Sequence, residues 1–177
     1  MQTPIEAPLS RGERHWLHAK LSGFYALYYM VLGAVLPYWA LYLDQRGFSP
    51  SQIGIAIASI GLVRIVAPVI WGWVMDHSQR RLQMIAVAML FSGLLFGLIP
   101  FSSSFAGLVA LHVAYAIFWN AALPAFEVVT LNQLARTGLD YARIRLWGSV
   151  GFIAAVAVLG PLFEVVDLEL LPWIVVA

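Results

Sequence analysis

Six stretches of this chain, at about 21–43, 53–75, 82–99, 105–131, 146–163 and 168–177, are rich in apolar residues and nearly free of charge. Short polar links separate them. A bilayer core needs about 20 apolar residues of helix, so the first five predict membrane-crossing helices. The last run is too short to cross and still apolar at Ala177, which predicts a sixth helix cut short in a truncated product or a fragment. Residues 1–20 lack the apolar core and small-residue cleavage site of a signal peptide. They are expected to form a short, partly disordered cytoplasmic leader. The expected fold is an all-α polytopic membrane protein, a six-helix bundle over 21–177 with its sixth helix incomplete.

Composition agrees with that class and excludes others. Hydrophobic residues make up 62% and charged residues 11% of the chain, against roughly 25% charged in a soluble domain. The net charge of +1 is spread over several loops, which argues against a nucleic-acid partner. Without cysteine there are no disulfides or thiolate metal sites. With no metal-ligand pair and no nucleophile beside a base, neither an enzyme nor a cofactor or metal is expected. The basic residues orient the chain: Arg11, Arg14 and Lys20 precede the first span, Arg80 and Arg81 follow the second, and Arg136, Arg143 and Arg145 surround the fourth link. Arg46 lies on the other side, where Glu164, Asp167 and Glu169 also fall, so the N-terminus is expected in the cytoplasm.

The candidate chemistry lies in the fourth and fifth spans. Glu127 and Arg145 sit in apolar surroundings at equal sequence distance from Arg136, and Asn120 and Phe152 repeat the symmetry seven residues further out. In an antiparallel hairpin each pair shares a depth, and seven residues is about two helical turns, so each helix carries its two residues on one face. Charges at that depth are costly unless paired, and they commonly line a path for a polar solute. The alternative is an ion pair that only pins two helices. Pro124 has no N–H, which leaves the Asn120 carbonyl without its usual helical partner and open to solute, water or a side chain. Arg145, Ser149 and Phe152 add a cation, a hydroxyl and an aromatic face on one side of the fifth span. Together they suit a ring-bearing solute with oxygens: Arg145 forks onto them, Glu127 accepts from hydroxyls and Phe152 covers a flat apolar face.

Arg64, midway along the second span, either lines the solute path or pairs structurally with another helix. His112 is read as a packing residue and left out of the site. Trp16, Trp39, Tyr42, Trp73 and Trp173 fall near segment ends as interfacial or packing groups. A short internal match, Gly33-Ala-Val-Leu-Pro37 with Asn120-Ala-Ala-Leu-Pro124, is repeated at the same offset by Gly61-Leu-Val63 with Gly148-Ser-Val150. It fits a three-plus-three inverted repeat, in which sites collect at the repeat interface.

Gly72-Trp-Val-Met-Asp76-His-Ser-Gln-Arg80-Arg81 resembles the cytoplasmic loop signature of the major facilitator superfamily, with His77 for its first basic residue and Gln79 for its second glycine. Leu32-Gly-Ala-Val-Leu-Pro37-Tyr-Trp, Asn120-Ala-Ala-Leu-Pro124-Ala-Phe-Glu127 and Asp140-Tyr-Ala-Arg143-Ile-Arg145-Leu-Trp-Gly148-Ser-Val-Gly-Phe152 resemble the branch holding lactose permease and the phenylpropionate permeases. The resemblance implies the N-terminal half of a twelve-helix, proton-coupled symporter in a bacterial inner membrane, working by alternating access with a C-terminal half absent here. It places Asn120, Glu127 and Arg145 against the solute and Phe152 where lactose permease stacks a tryptophan on its sugar. It makes Asp76, beside Arg80 and Arg81, a latch on the cytoplasmic side; the alternative is a surface ion pair worth little. Sugar and aryl-propionate both stay open as solutes, with the overall pattern leaning to the aryl-propionate. A reading of another class is a half-size, self-assembling membrane scaffold.

Overall fold

The computed structural model describes residues 10–78 and 80–176. Gln79 of the loop motif and positions 1–9 of the leader lie outside the described residues. The described residues form seven α-helices: α1 (Arg11–Val35), α2 (Trp39–Gln45), α3 (Pro50–Asp76), α4 (Arg81–Gly97), α5 (Phe105–Thr137), α6 (Tyr141–Val165) and α7 (Leu171–Val176). Five stretches are long and apolar enough to cross a membrane, namely Arg11–Gln45, Pro50–Asp76, Arg81–Phe101, Phe105–Thr137 and Tyr141–Val165.

Local chemistry sets the helix ends. The Ser10 hydroxyl accepts from the Glu13 N–H while the Glu13 carboxylate accepts from the Ser10 N–H at 2.8 Å, a reciprocal cap that starts α1 well before its apolar run. The tail expected to be partly disordered is thus helical from Arg11. Hydropathy alone does not register such a cap. The first span breaks at Leu36–Tyr38, where Pro37 has no N–H to continue the ladder, and resumes as α2. Ser49 and Gln52 form the same reciprocal cap on α3, with Pro50 in its first turn. Gly138, at φ 64°, closes α5 with its N–H donated to the Leu134 carbonyl at 2.8 Å. Asp140 then caps α6 by accepting from the Ala142 N–H at 2.9 Å.

Packing departs from the antiparallel hairpin expected of the fourth and fifth spans. α5 packs on α3 and α4, α6 packs on α1, and α5 and α6 barely touch each other. Small residues decide this. A methyl group added at Gly151 would fall onto the Ala26 carbonyl oxygen, and one at Gly33 would lie 2.6 Å from the Phe152 carbonyl oxygen. The two backbones therefore meet directly, the close approach that small residues permit between membrane helices. Side chains join α1 to α5 on its other face: Phe24 stacks on Phe126 with ring centroids 3.5 Å apart, and Tyr28 on Trp119 at 4.5 Å. α1 thus stands between the two helices that carry Glu127 and Arg145.

Arg46, the basic residue out of place in the charge pattern, ties the loop after α2 to the short turn that follows α4. It donates to the Ile99 carbonyl at 3.1 Å and the Ser102 carbonyl at 2.6 Å, with the Tyr42 and Phe48 rings beside it. A guanidinium fits there because a carbonyl oxygen has two lone pairs, and that of Ile99 accepts from Arg46 as well as from the Ser102 N–H.

Candidate functional site

Arg145 reaches back from α6 across α1. Its guanidinium donates to the Tyr29 hydroxyl and lies 4.2 Å from the centre of that ring and 5.4 Å from the centre of the Tyr25 ring. Gly148 makes room for this: a methyl group there would lie 2.8 Å from the Tyr29 ring and 3.0 Å from the guanidinium. Glu127, half-buried on α5, accepts from the Tyr141 hydroxyl at 3.4 Å. Among the described residues, Glu127 and Arg145 form no direct ion pair; each bonds a different tyrosine hydroxyl, Tyr141 for Glu127 and Tyr29 for Arg145.

The direct ion pair that would pin the two helices to each other does not form among the described residues; Arg145 instead joins α6 to α1, and Glu127 joins α5 to the start of α6. Two opposite charges bonded to tyrosine hydroxyls keep donors and lone pairs for an incoming group.

A second feature adjoins this one. A cavity of about 240 Å³ lies between the α1–α2 break, α3 and α5, with Arg64, His112, Trp39, Tyr115, Trp119 and Asn120 in its wall. Arg64 is exposed at this site and Asn120 half-buried, its amide donating to the Ala116 carbonyl at 2.7 Å. His112 is 0% exposed, and neither ring nitrogen has a partner among the described residues; the indole N–H of Trp39, 4% exposed, is likewise unpartnered. Sequence reasoning set His112 aside as packing. Its ring lies 4.7 Å from that of Trp39 and 6.0 Å from that of Tyr115, the aromatic packing that this reading expects.

The remaining candidates fall elsewhere. Ser149 is exposed and Phe152 half-buried on α6, where the Phe152 backbone packs on Gly33, so neither lines the cavity that holds Asn120. Asp76 and Arg81 form an ion pair at 3.3 Å at the α3–α4 turn, and Arg81 also donates to the Met75 carbonyl at 3.4 Å. Arg80 joins them in lining a shallow surface groove. Tyr29 and Tyr141, whose hydroxyls hold Arg145 and Glu127, escaped the sequence reading, as did Tyr25 and Tyr28 beside Tyr29 on α1. Three of them recur on one face of α1 at helical spacing, a pattern that ordinary aromatic packing also produces. No group of three His, Asp or Glu suited to a metal occurs among the described residues.

Residues 18–177 match the model of the MFS_1 like family. The chain is 30% identical over 83% of its length to an uncharacterized transporter, YwbF, of Bacillus subtilis, and 28% identical over 77% to the maltose permease of Geobacillus stearothermophilus. It is 25% identical over 81% of its length to a probable 3-phenylpropionic acid transporter of Escherichia coli. It spans only 37%, 35% and 38% of those relatives' own lengths. The crystal structure of nucleoside transporter NupG superposes with a TM-score of 0.78 at 20% identity, covering 90% of this chain and 42% of that one, which shows a shared fold.

Proposed function

Because this chain belongs to the MFS_1 like family of major facilitator superfamily transporters, we propose that it forms the N-terminal half of a proton-coupled symporter importing a small ring-bearing solute, an aryl-propionate, by alternating access. The observation that carries this reading is the Glu127 and Arg145 pair, held half-buried through tyrosine hydroxyls and not neutralised by direct contact. Arg145 would fork onto the solute carboxylate. Glu127 would repel that anion unless protonated or already paired, and the groups that carry the coupled proton would lie mostly in the second half. Asn120 from α5 and Ser149 and Phe152 from α6 would add an amide, a hydroxyl and a ring to the site. Asp76, with Arg80 and Arg81, would latch the side on which the N-terminus lies, the cytoplasm by the distribution of basic residues. The membrane would be a bacterial inner membrane.

A sugar is the second reading, favoured by Glu127 itself, since a carboxylate among tyrosine hydroxyls is a natural acceptor for sugar hydroxyls. Binding of galactosides and of aryl-propionates to the protein, with Arg145→Ala as the control, separates the two. An aryl-propionate signal that depends on the carboxylate and vanishes in the control supports the first reading. A galactoside signal lost in the control replaces it with the second, and silence from both panels removes both solutes.

A further inference from the structure

The cavity beside Arg64 has its own chemistry. Arg64 is the one charged residue in its wall, and no carboxylate stands within ion-pair distance of it among the described residues. The rest of the wall is largely apolar and aromatic, interrupted by the Asn120 amide, which donates to the Ala116 carbonyl at 2.7 Å. A volume of about 240 Å³ holds about eight waters or one small ring with a short side chain. Asn120 lies two turns from Glu127 along α5, about 10 Å, and the rest of the cavity lies further still.

We infer that this cavity is a second solute station, which binds a small aryl carboxylate with its anion on Arg64 and its ring among Trp39, Tyr115 and Trp119. A guanidinium with no acid beside it, above aromatic walls, complements an anion with an apolar body and does not complement a polyhydroxylated ring. The station takes the anion without the repulsion it meets near Glu127. Its place on a transport path rests on the function proposed above; its ligand chemistry does not.

Photolabelling tests it, with an aryl-azide derivative of phenylpropionate as the probe and membranes containing the protein. Wild type and Arg145→Lys should carry label within residues 112–120. Arg64→Gln should lower that label about tenfold, the loss of one charge-assisted contact, and Arg64→Lys should retain part of it. Gly61→Leu gives an independent block. Gly61 lines the cavity with nothing within 4 Å of an added methyl group, so the fold tolerates the side chain while the space fills. That variant should also lose label. Absence of label at 112–120 in wild type, equal label from the neutral amide of the probe, or label unchanged in both Arg64→Gln and Gly61→Leu would overturn the station. A failure of the Glu127 and Arg145 reading looks different: no label on α6 and no effect of Arg145→Lys on uptake, with the 112–120 label intact.

Discussion

Replacing Gly151 by alanine tests the packing that places Arg145. In an ordinary helix this exchange stabilises by about 1 kcal/mol, because alanine loses less backbone entropy. Here the new methyl group falls onto the Ala26 carbonyl oxygen and also lies within 3.0 Å of the Ala26 Cα, so α1 and α6 must move apart. Both obstructing atoms are backbone and cannot turn aside as a side-chain tip could. Overpacking of a tight contact costs about 1–3 kcal/mol, and a backbone-on-backbone clash belongs at the upper end. Subtracting the propensity gain leaves a net loss of about 2 kcal/mol. For a domain of this size that lowers the melting temperature by about 4–8 °C. Gly93→Ala in α4 is the control, since nothing lies within 4 Å of its added methyl group, and it should be neutral or stabilising by up to about 1 kcal/mol. Thermal unfolding of both variants in detergent, followed by circular dichroism, reads the difference. Gly151→Ala melting at or above wild type would refute the direct contact of the two backbones. Arg145 lies six residues from Gly151, about 9 Å along the axis, so solute binding should weaken along with stability.

Tyr29→Phe removes the hydroxyl that accepts from Arg145 but keeps the ring 4.2 Å away. Bonds to charged groups are worth roughly 1.5–3 kcal/mol, less where water competes, so a Kd rise of about 5–30-fold for the solute is expected; equal or tighter binding would show that Tyr29 competes with the solute and does not position the guanidinium. Asp76→Asn breaks an ion pair whose carboxylate side chain is 75% exposed, so thermal stability should change by less than about 1 kcal/mol. Its turnover in uptake assays should nevertheless fall, and unchanged kinetics would remove the latch. Phe152→Trp should improve galactoside binding if the solute is a sugar, and titration with a galactoside showing no gain would weigh against that reading.

The membrane spans were legible because a bilayer imposes one dominant requirement, about 20 apolar residues, that can be counted. Their ends were less so. α1 begins at a Ser10 and Glu13 cap whose residues are polar, and the count of apolar residues passes over it. Glu127, Arg145 and Arg64 were legible as candidates because a charge in an apolar run is costly enough to need a reason. How they are held was not. Equal spacing from a loop implies a pair only if the two helices pack together, and here Gly33, Gly148 and Gly151 favour α1 as the partner of α6. In the sequence these glycines look like many others in apolar segments. Only the positions of Ala26, Tyr29 and Phe152 opposite them give them meaning.

The two faces of α1 have different mechanical characters, and that bears on how the charged groups communicate. Toward α6 the contact at Gly33 and Gly151 is backbone on backbone, with no rotatable side chain there to absorb a displacement. Toward α5 it is ring on ring, Phe24 on Phe126 and Tyr28 on Trp119, and rings adjust by sliding or turning about their side-chain bonds. A shift of α6 must therefore carry α1 with it, whereas α5 can move relative to both at smaller cost. Arg145 and Tyr29 then travel as one unit, and Glu127 meets them across the compliant contact. Glu127 bonds Tyr141 and Arg145 bonds Tyr29, so Tyr141→Phe and Tyr29→Phe should each loosen one charged group and leave the other held.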